Sequence, residues 1–169
     1  DGGFVVWQNA TQSNGERILV QRLNSDYVGE GVVQQVSQGA AGSNEMNPRA
    51  AMRSDGGGAV VWEGGPRGSS DVYVRFIDAR GNFSSASIMA NSYSSSIQRD
   101  ASVAALDDGG VVVVWESYWR PGHPLSSLSP SLINVKLTEG TQLMPYITVD
   151  SSKSTEPVFS VWVCHGGGG

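Results

Sequence analysis

Asp108-Gly109-Gly110-Val111-Val112-Val113-Val114-Trp115-Glu116 decides the reading of this chain, because the same pattern recurs along it. Asp55-Gly56-Gly57-Gly58-Ala59-Val60-Val61-Trp62-Glu63 is a close copy, and Asp1-Gly2-Gly3-Phe4-Val5-Val6-Trp7-Gln8 opens the chain. A worn fourth copy, Val158-Phe159-Ser160-Val161-Trp162, lies near the end. Trp7, Trp62, Trp115 and Trp162 are spaced 55, 53 and 47 residues apart. A period of about 50 residues with several strands per unit is the sequence signature of propeller blades.

Around each Trp strand the same order of segments returns. A strand rich in small residues (Ala50 and Ala51, then Ala101, Ala104 and Ala105) leads into the Asp-Gly turn and the Trp strand. A polar loop follows, then a strand carrying Arg22, Arg75 or Lys136, then a Ser-rich outer strand. In the third copy the loop from Glu116 to Ser131 is longer, holding Pro121, Pro124 and Pro130, and the outer strand is almost deleted. The blades are expected over residues 1–47, 48–100 and 101–143, with a partial fourth over 144–165 and a Gly tail at 166–169. The expected fold is all-β, built of four-stranded propeller-type repeats, with next to no helix.

Alternation supports this. Val111, Val113 and Trp115 share one face of their strand, and Val112, Val114 and Glu116 share the other. Both faces are apolar until the last residue, so the strand is expected to be covered on both sides, as sheets stacked face to face would cover it. About three blades do not close a ring. The sequence therefore predicts either part of a longer array or copies that associate to complete one, and two copies would supply six blades. The absence of an initiator Met fits a processed chain or a fragment.

Bulk properties narrow the function. Net charge is −5 and the chain has only two lysines, Lys136 and Lys153. No basic cluster is present to neutralise phosphates, so nucleic acid is not an expected partner. No apolar run approaches the roughly 18–20 residues of a spanning helix, so membrane insertion is not expected. One cysteine, Cys164, cannot form an internal disulfide and reads as a small buried hydrophobe. His123 and His165 give no metal-ligand spacing, and neither a metal nor a cofactor is expected.

The pattern Ala-x-Leu-x-Asp-Gly-Gly-x-Val-Val-x-Trp-Glu, followed by Asp-Val-Tyr-x-Arg-Phe, resembles the long tandem repeats of large secreted or surface proteins of bacteria. The resemblance covers residues 1–116 well and 132–162 loosely, and it implies an extracellular or cell-surface location and a binding or scaffolding role. The Asp-box of sialidase-type propellers is a different pattern: Asp55 and Asp108 lie seven residues before their Trp, where that box needs five.

Each recurrent feature has a structural and a functional reading. One or two Asp per turn are too few for calcium, whereas Gly at positive φ and Asp bonded to its own backbone make a tight hairpin. Tryptophans on the Val face are expected to pack between sheets, not to stack on sugars. Arg22, Arg75 and Lys136 are read as one repeated position, opposite Gln8, Glu63 and Glu116, forming a cross-strand charge pair in each unit. The carboxylate separation that glycoside hydrolysis needs is a property of the fold, and Glu63 and Glu116 are candidates for it only through their position on the blades. Asn9 and Asn82 match the glycosylation acceptor pattern.

Function is expected where the copies differ, in the long third loop, with Tyr118, Trp119, Arg120 and His123 as ligand-binding candidates. Asp1, Trp7, Asp55, Trp62, Asp108, Trp115 and Trp162 are assigned to the structural repeat. The leading expectation is a non-catalytic extracellular scaffold, adhesin or filament subunit that contacts itself or neighbouring repeats. A lectin binding glycans through the loops between blades is the alternative, and a propeller-type glycoside hydrolase the next.

Overall fold

The structure, a computed structural model, describes residues 2–11, 15–39, 43–66, 69–91, 97–118, 131–139, 142–143 and 147–150. Among them are twelve β-strands and no helix. The strands are β1 (Gly3–Thr11), β2 (Gly15–Leu23), β3 (Gly29–Gln35), β4 (Asn44–Met52), β5 (Gly58–Gly65) and β6 (Asp71–Ile77). They continue with β7 (Ile88–Met89), β8 (Ile97–Ala105), β9 (Val111–Tyr118), β10 (Ser131–Glu139), β11 (Gln142–Leu143) and β12 (Ile147–Asp150). They form three antiparallel sheets in the order of the repeats: β1-β2-β3, β4-β5-β6-β7, and β8-β9-β10 with β11 and β12 both pairing β10. No closed barrel or ring is formed among the described residues.

The Asp-Gly turns at Asp55 and Asp108 have the geometry their residues dictate. Asp55 Oδ1 accepts the Gly57 N–H at 2.8 Å, and Asp108 Oδ1 accepts that of Gly110 at 2.9 Å. The glycine between them adopts left-handed backbone, φ 81° at Gly56 and 87° at Gly109, which L side chains reach only with strain. A second turn repeats as faithfully. Asn24 Oδ1 accepts the N–H groups of Asp26 and Val28, and Asp78 Oδ1 accepts those of Arg80 and Asn82.

The sheets stack so that Trp62 and Trp115 each face the sheet before their own. Val60, Trp62 and Ile77 of the second sheet close a core with Ile18, Val20 and Val36 of the first, with Trp62 stacked on Tyr73 at 5.7 Å between centroids. Ala59, Val61, Val72, Val74 and Phe76, on the opposite face, close another with Ala101, Val111, Val113 and Trp115 of the third. The middle Trp strand β5 is consequently buried on both faces over Gly58–Gly64. At the ends this cover is one-sided: Val112 and Val114 are half-buried and Val5 is exposed.

Three expectations need correction or refinement. Strand pairing sets Trp7 opposite Leu19, Trp62 opposite Tyr73 and Trp115 opposite Asn134. Two residues further on lie Gln21, Arg75 and Lys136, so Arg22 is one residue out of step and lies on the opposite face. Nor do these cations oppose the carboxylates, since Glu63 pairs Val72 and Glu116 pairs Ile133. The outer strand expected over 83–90 shrinks to Ile88–Met89 plus a bridge between Ile77 and Phe83. Residues 147–150, read as opening a fourth unit, instead pair with β10 through Leu132–Asp150 to Val135–Ile147. With the outer strand reduced to β11, β12 takes the place beside β10 along that length.

Gly109 has no heavy atom within 4 Å of a Cβ built on it, so substitution there tests backbone conformation alone. Gly109→Ala is expected to cost about 1–2 kcal/mol in urea unfolding, and Gly109→Asn less, because Asn visits the left-handed region more readily.

Candidate functional site

The bulges beside the tryptophans place the polar side chains of the repeat. On β4, Met46 pairs Glu63 and Arg49 pairs Val61, leaving Asn47 and Pro48 together opposite Trp62. On β8, Arg99 pairs Glu116 and Ser102 pairs Val114, leaving Asp100 and Ala101 opposite Trp115. Two residues against one is a β-bulge. Its first residue takes positive φ in both strands, 54° at Asn47 and 55° at Asp100. Proline fits the second place, since a bulged residue donates no ladder bond.

The bulge turns a backbone N–H out of its own sheet toward the preceding one. The residue after the preceding Trp receives it. Glu63 Oε1 accepts the Asp100 N–H at 2.8 Å, and Gln8 Oε1 accepts the Asn47 N–H at 3.4 Å. Glu63 Oε2 also accepts from Asn47 Nδ2 at 3.1 Å, so one buried carboxylate binds the bulges of two sheets. Burial is the main influence on Glu63 and pushes its carboxyl above the ordinary value of 4.5, against the pull of these hydrogen bonds.

A second recurrent contact satisfies the indoles. Trp62 Nε1–H donates to Glu45 Oε2 at 2.5 Å, and Trp115 Nε1–H donates to Gln98 Oε1 at 3.0 Å. The acceptor stands 17 residues before its Trp both times. Ser43 Oγ also donates to Glu45, at 2.9 Å, and the Ser117 hydroxyl donates to Gln98. Arg17 reaches the same cluster through the Ser43 carbonyl at 3.1 Å. Gly64 gives the Glu45 carboxylate its room, because a Cβ there would stand 2.3 Å from Oε2.

Arg75 has a different part from the one its spacing suggests. Its Nη1 donates to the Val36 carbonyl in the first sheet at 2.8 Å, and its Nε to the Ser85 carbonyl at 3.0 Å. The guanidinium stands 3.6 Å from the Phe83 ring centroid, and burial lowers its pKa. Arg22 instead pairs Glu30 at 2.5 Å on the surface. The cross-strand ion pair in the third sheet is Arg99 with Glu116 at 3.4 Å.

The hydrolase geometry does not assemble. Glu63 faces the third sheet, whereas Glu116 lies on the far face of that sheet with Val112 and Val114, so a sheet stands between the two carboxylates. Among the described residues no three His, Cys, Asp or Glu gather as a metal site. A groove of about 390 Å³ opens between the turns of the first two sheets, lined by Gly2, Asn24, Arg22, Glu30, Arg53 and Ser54. Its two cations are already engaged, Arg22 by Glu30 and Arg53 by Asp55, and Arg53 is the main cause that lowers the Asp55 pKa.

Of the loop candidates, Tyr118 ends β9, paired with Ile97 and Ser131. Trp119, Arg120 and His123 lie outside the described residues, as do Asp1, Trp162, Cys164 and His165. Comparison with family models, with curated proteins and with solved structures finds no match to this chain.

Glu63→Gln is expected to fold, because Gln8 already performs the same role in the first sheet. A carboxyl raised by folding contributes stability that is present below its unfolded value and lost as pH rises through its folded one. Urea unfolding at about pH 4 and about pH 7 should therefore shift the stability difference in the variant's favour at the higher pH. Asp71, also raised by burial, is common to both proteins and cancels.

Proposed function

We propose that this chain is a non-catalytic extracellular binding or scaffold module, made of propeller-type repeats that present surfaces to partners. One observation carries the reading. The polar side chains that recur with the repeat are committed to structure: the turn aspartates to their own glycines, Glu45 and Gln98 to indoles of their own sheet, Gln8 and Glu63 to the bulges of the next sheet. What a repeat preserves here is a means of stacking. The four-stranded meander of the second sheet and the face-to-face packing support blades as its building units. The resemblance to secreted bacterial repeats supports the extracellular setting.

A glycan-binding role has one observation in its favour. The β1–β2, β5–β6 and β9–β10 connections leave the sheets at the end opposite the Asp-Gly turns, and the longest of them follows Tyr118 and carries Trp119, Arg120 and His123. Aromatic residues in such a loop suit stacking on sugar faces.

A broad panel of model glycosides is expected to be left intact, and turnover of any of them would overturn the non-catalytic reading. On a glycan array the scaffold reading expects no signal. Binding that disappears in Trp119→Ala would replace it with the lectin.

A further inference from the structure

Among the described residues, the contact that stacks the three sheets leaves one face at each end of the stack without a partner sheet, and these two faces are complementary. Val60 and Trp62, on the forward face of the second sheet, are 1% exposed beneath the first sheet. Val113 and Trp115, at the same positions of the third, are 0% and 2% exposed beneath the second. Val5 and Trp7 occupy those positions in the first sheet, paired with Gln21 and Leu19, and no described sheet covers them to that degree. Val5 is 41% exposed and Trp7 half-buried.

The opposite end of the stack shows the reverse. Ala59, Val61 and Glu63 form the rearward face of β5 and are buried against the third sheet. Their counterparts on β9 are Val112, Val114 and Glu116, each only half-buried. Glu116 already carries a partner in Arg99, so covering this face buries no lone carboxylate. The forward face of the first sheet therefore has the residues that, one repeat on, receive a rearward face. The rearward face of the third has the residues that, one repeat back, fit such a surface.

We propose that a second copy of this chain seats the rearward Val112–Val114 face of its third sheet on the forward Val5–Trp7 face of the first, continuing the internal sheet-to-sheet packing from one molecule to the next. The contact is heterologous, front to back, so it closes into a ring or extends into a chain according to the rotation between copies. It rests on the scaffold reading above and adds its partner. Among the described residues no bulged strand lies beside β1, so this junction has no bulge latch there. The contact relies on apolar burial alone and is expected to be weaker than the internal ones and dependent on concentration.

The test uses two variants of the full chain, Val5→Lys to block the front and Val114→Lys to block the back. Sedimentation equilibrium of the unaltered chain should show a mass that rises with concentration. Each variant alone should remain a monomer, and an equal mixture should double in mass and stop there, since only one open front meets one open back. A symmetrical front-to-front contact gives the opposite pattern: the Val114→Lys chain still associates alone and the mixture gains nothing. That result, or an unaltered chain monomeric up to its solubility limit, overturns the proposal. Near-ultraviolet circular dichroism of the buried Trp62 and Trp115 verifies that both variants are folded; should Val114→Lys unfold, Arg99→Glu repels the same face from the surface through Glu116. Failure here leaves the non-catalytic reading intact, because that stands on the glycoside panel.

Discussion

An indole buried between two sheets must find an acceptor for its N–H, and this requirement organises each repeat. An unpaired polar group in such a core costs about 1–3 kcal/mol. Glu45 and Gln98 supply the acceptor from the strand beside the Trp strand. That strand bulges opposite the ring, where Asn47-Pro48 and Asp100-Ala101 each set two residues against one Trp. The bulge in turn frees a backbone N–H, and the residue following the previous Trp receives it. Trp, acceptor, bulge and carboxylate thus form one chain of dependence running from sheet to sheet.

Burial follows position in the stack more than identity of residue. The same Val-x-Trp pattern is sealed in β5, covered on one face in β9 and partly open in β1. The small residues of the leading strands behave similarly: Ala101 is buried while Ala50 and Ala104 are exposed. The described sheets close no ring, so these alanines line no central axis among them.

The architecture was legible because it depends on local signals. The Asp-Gly turns, the period-two alternation of Val111–Trp115 and the recurrence of the unit each report on neighbouring residues. The register of the Arg strand was not, because the connection between the paired strands differs in length from copy to copy, and a one-residue slip moved Arg22 to the wrong face. The acceptors of the indoles were missed although a signal existed. Glu45 and Gln98 precede their tryptophans by the same 17 residues, and each lies two before the residue with positive φ. Gln142 bears the same relation to Pro145 that Glu45 bears to Pro48. The partners of Glu63 were illegible in principle, since Asp100 lies 37 residues away in another sheet.

Between sheets, contacts run from β1 and β2 to β4, and from β4, β5 and β6 to β8, so each sheet leans on its neighbours in sequence. Such a molecule behaves as a one-dimensional lattice, in which stability is a sum of units and of the junctions between them. Unfolding then starts from the ends, where a sheet has one junction to lose, and reaches the middle last. Inserting another copy of the middle unit adds one complete junction and leaves both terminal faces unchanged. Length can vary by duplication without any sheet having to be redesigned.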